Sequence, residues 1–300
     1  MRKVAYGALA IVGAVISGSS LAGCSNADTA PPVATVSFTS NKAKVPLGSP
    51  VELTYQFDVA PDAKIDGDYR VFVHFIDSTD RRFWDDDHLP VKPTSQWRPG
   101  ERIQYTRTRF IPVVPYVGEA RVVVGLYRDN PEGRLPLRGP DAADRESTDR
   151  AYHVGKLDLL PNGENIYIAD KSGWHPTEFA PDNPTLEWRW TQKTASMSFR
   201  NPRRNLLLYI EYDARTDIFS DKPQEVTVLV NDQPVATFTA NSSAIALQKI
   251  PLDTAQLGSK EMVELKLDLD RTFVPAKQAG GGRDARDLGF RVYHVFLEPR

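Results

Sequence analysis

An all-β chain of two sandwiches in tandem, immunoglobulin-like and then jelly-roll-like, is what the sequence predicts, and three observations carry that prediction. Val51-Glu-Leu-Thr-Tyr-Gln-Phe-Asp-Val59 alternates apolar and polar residues over nine positions, the period of a strand with one buried face. Similar short runs recur along the chain, separated by turn residues, and 23 prolines with 19 glycines suit loops and turns better than helices. Long stretches of helical periodicity are missing after residue 24. Strands that follow one another without intervening helices stack as sandwiches, not as a parallel sheet.

Residues 1–23 read as a secretory signal: basic Arg2 and Lys3, an apolar run from Val4 to about Ile16, then small residues. A transmembrane helix is the weaker reading, because a span needs roughly 20 apolar residues and Gly7, Gly13 and the Ser17-Gly-Ser-Ser20 run break this one up. Leu21-Ala22-Gly23-Cys24 resembles the lipobox of bacterial lipoproteins. The resemblance implies cleavage before Cys24, a diacylglyceryl thioether on its sulfur and acylation of the new N-terminus, which make a durable membrane anchor. It also accounts for a single cysteine in an exported chain, where bridges would call for even numbers. Ser25, not Asp, follows the cysteine, which under enteric-type sorting favours the outer membrane if the source is Gram-negative. Residues 24–35 are small, polar and Pro-containing, as a lipidated tether should be. Loss of Arg2 and Lys3 takes 37 basic residues to 35 against 39 acidic ones, a formal charge of −4. With signs interspersed and no basic stripe, nucleic acid is excluded as an expected partner.

The first sandwich is expected over 36–160, with strands at Val36–Phe38, Val51–Val59, Tyr69–Asp77, Ile103–Ile111, Ala120–Tyr127 and Tyr152–Leu157. Pro161-Asn162-Gly163 is a turn signal between two β-like runs and marks the boundary. The second sandwich, 161–300, has its own series: Leu186–Thr191, Ala195–Phe199, Asn205–Tyr212, Glu225–Val230, Val235–Thr239, Ile245–Leu252, Met262–Leu269 and Phe290–Leu297. Val230-Asn-Asp-Gln-Pro-Val235 reads as a hairpin connection. Eight or so strands in this length suggest a jelly roll.

Three constellations can carry chemistry. His74 and Asp77 end a strand, with Asp86, Asp87, His88 and Trp97 in the loops beyond. Grouped carboxylates and imidazoles suit a divalent cation or polar ligand. Asp85, Asp86 and Asp87 are consecutive, however, and match no calcium loop; the favoured reading is that Asp86 and Asp87 cap turns or pair with Arg81, Arg82 or Arg98 while His74 packs inside. In the second, Trp174, His175 and Glu178 precede Trp188-Arg189-Trp190. Two tryptophans two apart share a strand face, either a stacking platform for a sugar or a core pair, and the core pair is favoured. Arg189 then points outward toward a carboxylate such as Glu178. The third is the glycine-rich loop with Arg283, Asp284, Arg286 and Asp287, which can bind a hydroxylated or carboxylated glycan or pin the last strand through internal ion pairs, the latter favoured.

V-F-V-H-F-I-D, D-D-H-L-P, P-T-S-Q-W-R-P-G and V-G-L-Y-R in the first half are similar to β-sandwich accessory domains found beside bacterial membrane glycosyltransferases and in envelope proteins. The second half, with G-W-H-P-T-E, W-R-W-T and R-D-L-G-F-R-V, resembles sandwich modules that accompany envelope-polysaccharide enzymes. The resemblance implies a noncatalytic role with a glycan or an envelope partner protein; separately, no cofactor is expected. Neither G-x-S-x-G nor H-E-x-x-H occurs. A glycosidase needs only two carboxylates, so a carboxylate-dependent glycan enzyme stays open beside glycan binding and a purely structural assembly role.

Overall fold

The computed structural model describes residues 30–128, 130–140, 149–278 and 282–300. The lipobox, with Cys24 and the leader before it, lies outside the described residues, and so do Gly280 and Gly281. The chain is all-β.

Ten strands precede Pro161: β1 (Ala34–Ser40), β2 (Lys44–Pro46), β3 (Pro50–Val59), β4 (Arg70–Ile76), β5 (Arg82–Asp85), β6 (Arg102–Phe110), β7 (Gly118–Arg128), β8 (Asn130–Leu135), β9 (Leu137–Arg138) and β10 (Tyr152–Leu160). They form one sheet in the order β6-β3-β1-β9 and a second in the order β2-β10-β7-β4-β5, with β8 beside β7. Taking β1, β3 and β6 as A, B and E, and β4, β5, β7 and β10 as C, C′, F and G, this is an immunoglobulin-like order. Alternation in β3 turns Val51, Leu53, Tyr55, Phe57 and Val59 inward, against Val71, Val73 and Phe75 of β4 and Val122, Val124 and Leu126 of β7. β1 starts at Ala34, two residues inside the segment read as tether, because Ala34 is buried and pairs with Val59 and Leu137.

The second half supplies β11 (Ile168–Asp170), β12 (Glu178–Ala180), β13 (Asn183–Trp190), β14 (Thr194–Arg200), β15 (Leu206–Asp213), β16 (Gln224–Val230), β17 (Gln233–Ala240), β18 (Ala246–Leu252), β19 (Met262–Leu269) and β20 (Arg291–Pro299). Their orders are β11-β14-β19-β16-β17 and β12-β13-β20-β15-β18. Strands β13 to β20 alternate between the sheets, except for the β16–β17 hairpin within one of them, as in a jelly roll, and β11 and β12 each extend one edge. Met197, Phe199, Val226, Val228, Leu265 and Leu267 from the first sheet meet Leu208, Ile210, Tyr212, Ile250, Val292 and Leu297 from the second. Asn231 and Asp232, both with positive φ (50° and 66°), make the two-residue turn between β16 and β17. That backbone twist is the one a tight hairpin requires.

Side chains also bridge the two halves. The Phe110 ring stacks on His294 at 4.5 Å and 8° and meets Phe296 edge-on. Lys249 pairs with Glu52 at 2.6 Å, Lys42 pairs with Glu298, and Asn165 Nδ2 donates to the Leu47 carbonyl at 2.8 Å.

Candidate ligand-binding site

The first constellation collapses inward. Asp86 is 2% exposed and sits between the sheets of the first sandwich. Its carboxylate accepts from Arg107 Nε and Nη2, both at 2.8 Å, and from the Tyr55 hydroxyl at 3.1 Å. Arg109 Nε lies 3.0 Å from the same carboxylate, buried and outside hydrogen-bond geometry. The partners are therefore β6 arginines, not the expected Arg81, Arg82 or Arg98, because the register of β6 brings its inward face onto Asp86. His88 is buried, with Nδ1 2.6 Å from the Asp86 carbonyl and Nε2 2.7 Å from the Tyr105 hydroxyl. A carbonyl accepts only, so Nδ1 carries the proton and Nε2 accepts from Tyr105. This is the neutral imidazole, and burial pushes its pKa down to about 4.

Asp87 and His74 stay half-buried. Asp87 accepts from the Val73 backbone at 2.9 Å, His74 Nε2 is 3.1 Å from Arg82, and burial raises the acid while lowering the imidazole. Trp97 is a core side chain and not a loop platform: it packs on Phe57 at 5.1 Å and its Nε1 donates to the Lys92 carbonyl. Asp77 closes its own turn, accepting from Thr79 and Arg81. Among the described residues no group of three His, Cys, Asp or Glu side chains could hold a metal ion.

Part of the second constellation, Glu178 with Trp188 and Trp190, joins Arg286 and Asp284 of the third in one cluster on the second sandwich. Glu178, on the short edge strand β12, accepts from both Trp188 Nε1 and Trp190 Nε1 at 3.2 Å through one oxygen and from Arg286 Nη1 at 2.7 Å through the other. Arg286 in turn grips Asp284 through Nε and Nη2, and that contact holds the Asp284 carboxyl down at about 2. Asp284 is thus ionised at neutral pH and donates no proton there. His175 Nε2 is 2.9 Å from the Asp287 carbonyl, which ties the loop before β12 to the loop before β20. Arg283 and the Asp287 side chain are exposed.

Trp190 is packed away as expected of a core side chain, 7% exposed, but both tryptophans lie on the outer face of their sheet and not between the two sheets. Trp190 pairs with Arg291 across β13 and β20, and Arg291 lies on the outer face of its sheet, with its neighbour Val292 in the core. Alternation then puts both tryptophans outside the sandwich proper. Trp190 is covered there by Phe219, Phe273 and Leu288 from overlying loops, while Trp188 is partly buried against them. Arg189 occupies the other side: its guanidinium lies over the Trp174 ring at 4.4 Å and pairs with Asp170, not Glu178. Trp174 is committed as well, donating to the Ser196 carbonyl at 3.0 Å. Gly173, at φ +80°, makes this fold-back feasible, since any Cβ there would run into the Thr194 carbonyl.

Three residues not singled out in the sequence complete the patch. Arg291 stands over Trp188 at 5.0 Å and donates to Asp213 at 2.6 Å, and the Tyr293 hydroxyl donates to the same carboxylate at 2.8 Å. The signal for Arg291 and Tyr293 was the Arg-Val-Tyr alternation opening the last strand, legible as a strand but not as a neighbour of β13. The result is an aromatic surface of Trp188 and Tyr293 ringed by guanidinium and carboxylate groups. Such a surface can stack the C–H face of a ring while its rim exchanges hydrogen bonds with hydroxyls.

No protein-family model matches the chain, and no curated protein matches it. Solved structures similar to it include a family 35 carbohydrate binding module from an environmental isolate, at 12% identity and TM-score 0.27, covering 45% of this chain and 97% of that one. Others are the N-terminal tandem CBM22-1-CBM22-2 domain from Paenibacillus barcinonensis Xyn10C (10% identity, TM-score 0.24, covering 85% and 79%) and collagen adhesin from S. aureus (8%, 0.19, covering 89% and 96%). At these scores the likenesses carry no argument about function.

Proposed function

We propose that the chain is a noncatalytic, lipid-anchored envelope protein that binds a glycan through the outer face of its second sandwich. The observation that carries glycan binding is the partly buried Trp188 ring beside Tyr293 at the surface of the sheet, flanked by the charged pairs Arg291–Asp213 and Arg286–Glu178. Anchoring rests on Leu21-Ala22-Gly23-Cys24, which supports export and attachment to the membrane, the outer one in a Gram-negative cell. The test is a glycan array with the full-length protein in detergent. Saturable binding to at least one glycan is expected, and Trp188→Ala should weaken it about tenfold or more, in line with roughly 1–3 kcal/mol for losing one aromatic stacking partner. Absence of saturable binding, or binding indifferent to Trp188→Ala, overturns this site. Cleavage of an arrayed glycan would replace it with the carboxylate-dependent enzyme, and pull-down of envelope proteins without sugar binding would replace it with the assembly subunit.

A further inference from the structure

The opposite sheet of the same sandwich carries a second groove, formed by residues that the Trp188 patch does not use. Strand β14 alternates Ala195, Met197 and Phe199 into the core, so Ser196 and Ser198 face outward. Yet both serines are buried, at 6% and 7% exposure, because neighbouring side chains rise around them. They floor a groove of about 450 Å³ that includes Lys171, Ser172, Asn231, Lys260 and Glu264, and it continues past Met262 into a space of about 630 Å³ beside Ile166, Tyr167 and Pro202. These volumes are of the size of small-molecule sites.

Most polar groups in the groove are engaged. The Ser172 and Ser196 hydroxyls meet at 2.9 Å, Asn231 bonds the Leu257 carbonyl and the Glu264 amide, and Lys266 takes Asp232 and Glu264. Three groups are not. The Ser198 hydroxyl is buried without a hydrogen-bond partner. Such a group is destabilising and uncommon enough in native structures to need an explanation. Lys171 and Lys260 are exposed and in no ion pair among the described residues. In the adjoining half, Tyr167 is 83% exposed.

We infer that this groove is a second binding site, for an acidic saccharide. A sugar carboxylate pairs with the ammonium groups of Lys171 and Lys260, a ring hydroxyl supplies the partner that Ser198 lacks, and the C–H face of a neighbouring ring lies on Tyr167. Serines on the floor allow a ring to approach the sheet closely. Met262, 49% exposed, shares the Ser198 face one register step away along β19, and its unbranched side chain moves aside to uncover the hydroxyl.

The test is calorimetric titration of the full-length protein with a tetrasaccharide of a hexuronic acid, its methyl-esterified counterpart and inorganic phosphate. The acidic tetrasaccharide is expected to bind, with the ester at least about tenfold weaker and phosphate alone undetected, as loss of charge-assisted hydrogen bonds dictates. The double variant Lys171→Gln/Lys260→Gln, on exposed side chains, should lose about tenfold or more. Ser198→Ala should lose several-fold with no fall in the melting midpoint, since it removes an unsatisfied group. Trp188→Ala should leave this affinity unchanged, so that failure here and failure of the Trp188 site are told apart. No binding at millimolar concentration, equal binding of the ester, equally tight phosphate, or an affinity that survives the lysine substitutions would each overturn the inference.

Discussion

Asp86 and Glu178 are both carboxylates that gather cationic and aromatic donors, but they occupy opposite kinds of place. Asp86 lies between the sheets of the first sandwich, 2% exposed, with two guanidiniums and a tyrosine aimed at it. Glu178 lies on an edge strand of the second, its side chain 33% exposed, bonded to two indoles and one guanidinium. Where water is excluded, removing one partner strands the others without solvent. Where water reaches in, the same removal is largely compensated. The first cluster therefore holds its sandwich together, and the second shapes a surface.

The sharpest break in that comparison is Asp86→Asn. Loss of the charge leaves the buried site without the anion on which Arg107 and Arg109, themselves partly exposed, converge, and unfolding in denaturant should show a stability loss of about 1.5–3 kcal/mol. A loss below 1 kcal/mol would put Asp86 in the same class as a surface pair.

The next contrast is in pH. His88 has a folded pKa of about 4, depressed by burial from an ordinary value near 6.5. Between those values the unfolded chain binds the proton and the folded one does not, so stability falls as the pH drops from about 6.5 to about 4 and is flat below. The full leg is of the order of 3 kcal/mol. Denaturation midpoints across this range should show it, and His88→Asn should remove it. Asp284 also has a depressed pKa, about 2. Its contribution is present above the ordinary carboxyl value and is lost only as the pH falls through about 2, a separate and more acid leg.

Glu178→Gln should have the smallest effect, about 1 kcal/mol or less, because Arg286 keeps Asp284 and solvent is at hand. Its mark should instead be a change in sugar binding on the array, since Gln offers one acceptor oxygen where Glu178 has two, and the Trp188 and Trp190 indoles then compete with Arg286 for it. A destabilisation as large as that of Asp86→Asn would erase the distinction between the two clusters.

Much of the fold was legible in local alternation. Val51–Val59 falls on β3 with its apolar residues inward, and Asn231-Asp232 falls on a tight turn. Partner choice between distant strands was not legible, because β13 meets β20 about a hundred residues later and no short-range pattern encodes that pairing. The same gap misplaced the site. A period of two says that Trp188 and Trp190 share a face but not which face. Asp86 looked like a loop residue until the register of β6 brought Arg107 and Arg109 to it. The Ala195–Phe199 strand was legible, but that its outward side, with Ser196 and Ser198, is a groove depends on walls supplied by Lys171, Asn231 and Met262 from elsewhere in the chain.

The joint between the halves bears on mechanics. Residues 161–167 are the covalent link from β10 to β11, yet the Phe110–His294 stack, the Lys249–Glu52 and Lys42–Glu298 pairs and the Asn165–Leu47 bond brace it on several sides. Phe110 and His294 stand on different sandwiches, so bending the link must first part an aromatic stack. A tug on the second sandwich is then resisted as torque on a braced bracket, and it reaches the first sandwich as a turning of the whole body instead of being absorbed in a slack cord.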